Sequence, residues 1–446
     1  MTDHDSSRDN WARGWRMPAE SRIIERDGAA FFRQANATPP LLSIARAGGA
    51  WLQDESGRSY LDLYGNNCHH IGYGHPAVLA AAREQLDRVC FVPRGLTSEQ
   101  PVALAESLQR HYPFAGSKVF LVPGGSEAVE LALTLAKVHT GRYKTVSFWD
   151  AYHGRSAGAL SAGGAPRDRS ARIGPLMPGA LHVPPFYWFA RTAQPLPMSL
   201  QLSADRSLDA LRALFECEPD TGAVLAEPIR NGPYVPPAGY WQAVRELCTA
   251  HGTALIFDEI PMGLGKTGSL FNSERVGVRP DITLIGKALG AAIVPLAAVI
   301  ADQSFDDAPE LNLGYYTHER NPYAAAIGQA TLEVIVGERL PGRAKRLESL
   351  IGQRLAVLAQ RHPLIAAFRC IGAHCCLDLV DPADAIAPPD AARRLQYALL
   401  ERGVLAMPPK GGTLGLSAPL NLTDDELARA FEALDDALTA LQGARP

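Results

Sequence analysis

The sequence contains no apolar run approaching the roughly 20 residues that a membrane-spanning helix requires. Its opening stretch, Met1 to Asp27, is charged and tryptophan-containing and lacks the apolar core of a secretory signal. A cytoplasmic protein is therefore expected. Seven cysteines (Cys68, Cys90, Cys217, Cys248, Cys370, Cys375, Cys376) form no Cys-x-x-Cys pair and no zinc-ligand spacing, so reduced thiols and no metal site are expected. Charge of one sign is also lacking: 43 basic against 47 acidic residues leave a net charge of −4, interspersed along the chain. No basic stripe offers itself to nucleic acid and no polybasic run to a membrane surface. Repeats and low-complexity segments are absent. What remains is ordinary globular composition, 47% apolar and 20% charged, in a 446-residue chain long enough for two domains. These exclusions leave a small molecule as the expected partner.

The opening segment reads as a polar arm or short helix, followed by a small hairpin over Ser43–Tyr64 with turns at Gly48-Gly49 and Ser56-Gly57. From residue 74 to 329 helical stretches (Pro101–Tyr112, Glu127–Thr140) alternate with short apolar runs: Lys118–Val122, Lys144–Trp149, Gly222–Ala226, Ala254–Asp258, Ile282–Ile285 and Ala297–Ile300. Such alternation predicts a mainly parallel sheet with helices on both faces. Residues 330–446 predict a helix at Arg343–His362, a strand near His374–Leu379, a helix at Asp390–Glu401, a strand pair around Val404–Ala418 and a closing helix at Thr423–Leu441. The expected division is thus 1–73, 74–329 and 330–446.

Four segments can be read as parts of one site. Pro123-Gly124-Gly125-Ser126-Glu127-Ala128 lies between a predicted strand and helix, where small residues and a helix N-terminus suit a phosphate; alone it is equally a plain helix start. Trp149-Asp150-Ala151-Tyr152-His153-Gly154 follows an apolar strand, at the carboxyl edge where open α/β sheets bind ligands. Tyr152 there can stack on a planar ring, or simply plug a surface gap. The strand Ala254–Asp258 ends in two acids, Asp258 and Glu259, and a carboxylate at a strand end can hold a protonated pyridine nitrogen, although strand-terminal acids are common. Lys287 directly follows the strand Ile282–Ile285 between Gly286 and Ala288, a setting that suits a Schiff-base lysine as well as a solvated one. The interval from Asp258 to Lys287, about one βαβ unit, argues for a common site. Gly263-Leu264-Gly265-Lys266-Thr267-Gly268 satisfies a glycine-rich nucleotide pattern, but a P-loop needs glycine where Ile260 stands.

Taken together, these segments resemble the class III pyridoxal 5′-phosphate (PLP) dependent aminotransferases, fold type I, from residues 72–76 (Gly-Tyr-Gly-His-Pro) through Ala226-Glu227-Pro228, Asp258–Gly268 and Lys287 to Ala418-Pro419-Leu420. The resemblance implies a seven-stranded, mainly parallel sheet domain and a smaller α+β domain built from both termini. It implies that Gly125 and Ser126 hold the phosphate, that Tyr152 and Ile260 pack on the two ring faces, and that His153 and Glu227 line the cofactor. Asp258 would pair with the pyridine nitrogen, Lys287 would carry the Schiff base, and Thr317 would reach the phosphate of the neighbouring subunit in a homodimer.

The chain departs from the family at two positions. Members that use glutamate or 2-oxoglutarate usually carry an arginine before the C-terminal Pro-Leu and a glutamate that pairs with it; here Gly415 and Gly232 stand in those places. An acceptor bearing an α-carboxylate would lack its bidentate clamp. The strings Tyr64–Pro76, Val146–Asp150, Glu227–Asn231 and Tyr316–Pro322 are similar to a subgroup that needs no acceptor, the ammonia-lyases acting on (R)-1-hydroxy-2-aminoethylphosphonate. That resemblance implies release of ammonia and phosphonoacetaldehyde, with Arg94, Arg230, Asn66 and Asn67 as candidate donors to the phosphonate. Each of the four has a plainer reading as a surface ion pair or a turn cap. The rival readings are an ω-amine or aminoethylphosphonate transaminase, a dialkylglycine decarboxylase and a catalytically dead homologue.

Overall fold

The computed structural model describes residues 18–34, 38, 40–170, 172–187, 199–380 and 390–443, and the expected polar arm before Pro18 lies outside them. Two compact units emerge, one made of residues 1–75 and 346–446, the other of residues 76–345. Strands are β1 (Ile44–Gly48), β2 (Trp51–Asp54), β3 (Ser59–Leu63), β4 (Ser117–Val122), β5 (Lys144–Phe148), β6 (Ala180–Val183), β7 (Thr221–Ala226), β8 (Ala254–Asp258), β9 (Ile282–Ile285), β10 (Ala297–Asp302), β11 (Ile365–Ile371), β12 (His374–Leu379), β13 (Val404–Ala406) and β14 (Thr413–Ser417).

The larger unit is built on one seven-stranded sheet ordered β4-β10-β9-β8-β7-β5-β6. Strands β9, β8, β7, β5 and β6 are mutually parallel, whereas β10 runs antiparallel to both β9 and β4. Two reversals cancel, so β4 points the same way as the parallel set and its carboxyl end lies on the same edge. Alternate residues serve opposite faces. On one face Ala223, Leu225 and Ile256 pack with Ala128, Leu131 and Ala132 of the Gly125–Thr140 helix. On the other, Val224, Leu255 and Phe257 pack with Leu211 and Phe215 of the Leu200–Cys217 helix and Trp241 and Val244 of the Tyr240–His251 helix. Each large side chain taken from water contributes about 1.5–3 kcal/mol. The sheet therefore presents its carboxyl edge from a rigid, doubly covered platform.

This unit extends past residue 329 to Lys345 because the Pro322–Gly337 helix packs on the Pro76–Arg88 and Glu99–His111 helices. In the smaller unit β1, β2 and β3 form the expected antiparallel hairpins, and β13 joins them parallel to β3. A separate antiparallel sheet has the order β11-β12-β14. The strand pair expected around 404–418 is met near its turn, where the Met407 N–H donates to the Gly415 carbonyl at 3.0 Å and Lys410 bridges Thr413, while β13 itself also pairs with β3 and β14 with β12. Hydrophobic periodicity marks a strand but does not name its neighbour. Strands β6 and β11 carried no sequence expectation. The first spans only four residues, three of them half-buried, and the second is an edge strand whose Arg369 breaks the apolar pattern. Among the described residues no helix is long and apolar enough to cross a membrane.

Candidate active site

Five connections at the carboxyl edge of the large sheet carry Gly125, Ser126, Tyr152, His153, Glu227, Arg230, Asp258, Ile260 and Lys287. The loop after β4 leads into the Gly125–Thr140 helix, whose N-cap Gly124 has no side chain to satisfy the first N–H groups. Those groups and the helix dipole face the edge as a potential anion seat. Ile260, two residues beyond β8, fills the space beside two glycines. A β-carbon on Gly125 would meet Ile260 Cδ1 at 3.2 Å, and one on Gly286 would meet Ile260 Cγ2 at 3.3 Å. The glycines allow one isoleucine to touch both the helix start and the residue preceding Lys287.

Lys287 opens a short 3₁₀ turn with φ 43, left-handed for a residue with a β-carbon. Such backbone conformations cost about 1–3 kcal/mol and persist where surrounding packing imposes them. Here the buried Ala288, Leu289 and Gly290 supply that packing. The lysine is half-buried.

The two acids ending β8 have separate fates. Asp258 is buried; one oxygen accepts a hydrogen bond from the Ile260 N–H at 3.1 Å and the other lies 2.8 Å from His153 Nδ1. His153 Nε2 is in turn 3.3 Å from Ser147 Oγ. Glu259 turns away and accepts the Asn272 and Ser273 N–H groups at the start of the Asn272–Val276 helix. Burial pushes its carboxyl up to about 7 despite those donors.

The 149–154 loop folds against the helix start. Gly154 has φ +142, and a β-carbon there would lie 2.6 Å from Ser126 Oγ, which accepts the Arg155 N–H at 3.1 Å. Only glycine fits this approach. Tyr152 is partly exposed, as a ring that stacks on a ligand must be. On the 314–320 segment, the Tyr316 hydroxyl donates to the Glu127 carbonyl at 3.3 Å and Thr317 is exposed beside it.

These residues fit PLP. The glycine-lined helix start suits a phosphate, the buried Asp258, backed by His153, suits a pyridinium nitrogen, and Lys287 follows the neighbouring strand. His153 departs from its expected role of lining the cofactor, since its ring nitrogens are directed to Asp258 and Ser147.

The expected substrate donors fare differently. Arg230 is buried, with three of the five N–H groups of its guanidinium engaged inside the protein: Nη1 on Glu227 Oε1 at 2.7 Å, Nη2 on the Asp150 carbonyl at 2.7 Å and Nε on the Tyr187 hydroxyl at 3.1 Å. In the structure these partners, not a substrate anion, hold Arg230, and Glu227 is engaged by Arg230 and by the Asn231 N–H at 3.0 Å. In the smaller unit Asn67 is buried and its Oδ1 accepts from Ser417 Oγ at 2.6 Å, a bond that fixes the amide through its acceptor and leaves its Nδ2 donors out. Asn66 and Arg94 stay exposed, Arg94 lying 3.4 Å over the Tyr315 ring. Sequence reasoning missed Tyr187 and the Asp150 carbonyl; the Glu227–Arg230 spacing of three residues was their only signal.

The two glycines that depart from the family pattern are not vacancies. In the larger unit a β-carbon on Gly232 would meet the Tyr234 ring at 3.0 Å, and that ring stacks on Tyr187 at 4.4 Å. In the smaller unit a β-carbon on Gly415 would meet Met407 Sδ at 3.0 Å and Cys376 Sγ at 3.3 Å.

A seven-stranded sheet with a strand-end carboxylate, a lysine after the next strand and a glycine-lined helix start defines a fold-type I PLP enzyme. The class III aminotransferase family model matches residues 32–438, and the chain belongs to that family. It is 34% identical to the (R)-1-hydroxy-2-aminoethylphosphonate ammonia-lyase of Vibrio splendidus, over 97% of this chain and 93% of that protein. It is 31% identical to the mitochondrial ornithine aminotransferase of Oryza sativa subsp. japonica, over 90% and 82%. A PLP-bound amine transaminase from an uncultivated Pseudomonas species superimposes with a TM-score of 0.84 at 29% identity, covering 92% of this chain and 98% of that one.

Proposed function

We propose that this PLP enzyme is an ammonia-lyase acting on a small amino-phosphonate, most simply (R)-1-hydroxy-2-aminoethylphosphonate, which it converts to phosphonoacetaldehyde and ammonia. The observation that carries the reading is the filling of positions 232 and 415. A β-carbon at 415 would crowd Met407 and Cys376, and one at 232 would crowd the Tyr234 ring, so neither position carries a clamp residue and each has side chains packed against it. The 34% identity to a lyase of this kind supports it.

Bound PLP supplies an electron sink for the carbon that bears the substrate nitrogen. Asp258 keeps the pyridine nitrogen protonated and thereby sustains that sink, while His153 orients the carboxylate. Gly125 and Ser126 seat the phosphate, Tyr152 and Ile260 hold the ring between them, and Thr317 reaches the phosphate bound in a partner subunit of a homodimer. The Lys287 amine takes the proton from the carbon bearing nitrogen and returns a proton to the departing hydroxide at the adjacent carbon. The released amino-alkene tautomerises and takes up one water, giving phosphonoacetaldehyde and ammonia, so the water lost is regained. Arg94, the candidate donor of the larger unit left exposed, serves the phosphonate.

The test is ammonia release from PLP-loaded protein given (R)-1-hydroxy-2-aminoethylphosphonate with no keto acid. Sustained turnover to phosphonoacetaldehyde is expected. A single equivalent of product rescued by pyruvate would make the enzyme a transaminase, the second reading that the 31% identity to an ornithine aminotransferase favours.

A further inference from the structure

Residues 149–151 are fixed from several sides. The Trp149 N–H donates to the Val183 carbonyl at 3.0 Å and its ring stacks on His182 at 4.7 Å. The Ala151 carbonyl accepts the Gly164 N–H at 2.9 Å. Between them Asp150 has φ 70, left-handed for a residue with a side chain, and its carbonyl is held by Arg230 Nη2. The strap bearing Arg230 is itself braced. Arg230 and Tyr234 exchange two backbone hydrogen bonds at 3.1 Å, the Tyr234 ring lies on Tyr187, and Trp241 Nε1 donates to the Pro228 carbonyl at 2.8 Å.

A buried arginine–glutamate pair yields little net stability, because desolvation offsets the attraction. Stability alone therefore gives no reason for a cation here. Geometry supplies one. The planar fork of Arg230 reaches Glu227, Tyr187 and the Asp150 carbonyl at once, and that carbonyl lies two residues before Tyr152 and three before His153.

We infer that Arg230 is a positioning residue. Anchored by Glu227 and Tyr187, it imposes the left-handed turn at Asp150 and so aims Tyr152 at the cofactor ring and His153 at Asp258. The inference rests on the assignment of Tyr152 to the cofactor ring and of Asp258, backed by His153, to the pyridine nitrogen, and is indifferent to whether the reaction ends as elimination or transamination.

The experiment compares Arg230→Lys with the parent by equilibrium PLP binding, by the visible circular dichroism of bound PLP, and by kcat and KM. Lysine keeps the charge and loses the fork. PLP affinity is expected to fall about tenfold, the size of one lost charge-assisted hydrogen bond, with a weaker dichroic band and kcat reduced more than KM changes. Arg245→Lys is the control, since Arg245 forms an ion pair with Asp281 away from the loop; it should lower the melting temperature and leave the band unchanged. If Arg230→Lys does not fold, the double variant Glu227→Gln/Arg230→Gln removes both buried charges at similar volume, and the same losses are expected. A folded variant with PLP affinity and dichroism within twofold of the parent overturns the inference. Absence of any dichroic band in the parent would instead sink the cofactor reading itself.

Discussion

The cofactor end of the site and the candidates for its anion end are built differently. Gly125, Ile260 and Gly286 interlock, Asp258 is held by His153 and the Ile260 N–H, and all of them lie at ends of strands in one sheet. Of the four candidate anion donors, Arg230 and Asn67 are buried and tied to internal partners, and Arg94 and Asn66 are exposed on turns. The difference teaches that cofactor chemistry is enforced by backbone geometry, which a sequence motif records. Substrate recognition rests on a few side chains that loops can supply from many positions.

The sharpest way to break this comparison is Lys287→Ala, which should cost at least about 10³-fold in turnover by removing nucleophile and general base together. Borohydride treatment would then no longer link PLP to the chain. At the other end, Arg94→Ala should raise KM for the phosphonate about tenfold with PLP retention unchanged. An unaltered KM would move anion recognition away from Arg94. Gly415→Arg should cost about 1–3 kcal/mol in denaturant titration, because the new side chain displaces Met407, and should confer no use of 2-oxoglutarate.

The smallest expected effect is a pH dependence at Glu259, beside the site yet outside its chemistry. Its carboxyl titrates near 7 when folded, above the ordinary carboxylate range. The protonated form is therefore favoured by folding, and the contribution is complete below about pH 4.3, the unperturbed glutamate value. It is lost as pH rises through 7. Glu259→Gln should flatten the parent's decline in melting temperature between pH 5 and 8; parallel curves would show that Glu259 folds in its charged form.

Apolar runs of four to six residues made most of the large sheet legible, and the Asp258-to-Lys287 interval pointed to two neighbouring strand ends, because both signals are local. The turn-side pairing over 404–418 was legible, but the partner of β13 was not, because it lies some 340 residues earlier in the chain, at β3, and nothing in Val-Leu-Ala names it. The reassignment of Arg230 needed coordinates for a related reason. A basic residue three positions after Glu227 is consistent with an exposed donor, and only the approach of Asp150, 80 residues earlier, reveals where its second nitrogen points. The filling of position 415 by Met407 was equally invisible, since glycine in a sequence shows what is missing and never what has moved in.

Ile260 has a consequence for the durability of the site. Its contacts with Gly125 and Gly286 make a hydrocarbon spacer between the anchor for the cofactor's phosphate and the strand end that delivers the amine. Van der Waals contact is blind to ionic strength and to protonation. The span from phosphate seat to Lys287 should therefore hold constant across salt and pH, even while the charges on either side of it change state.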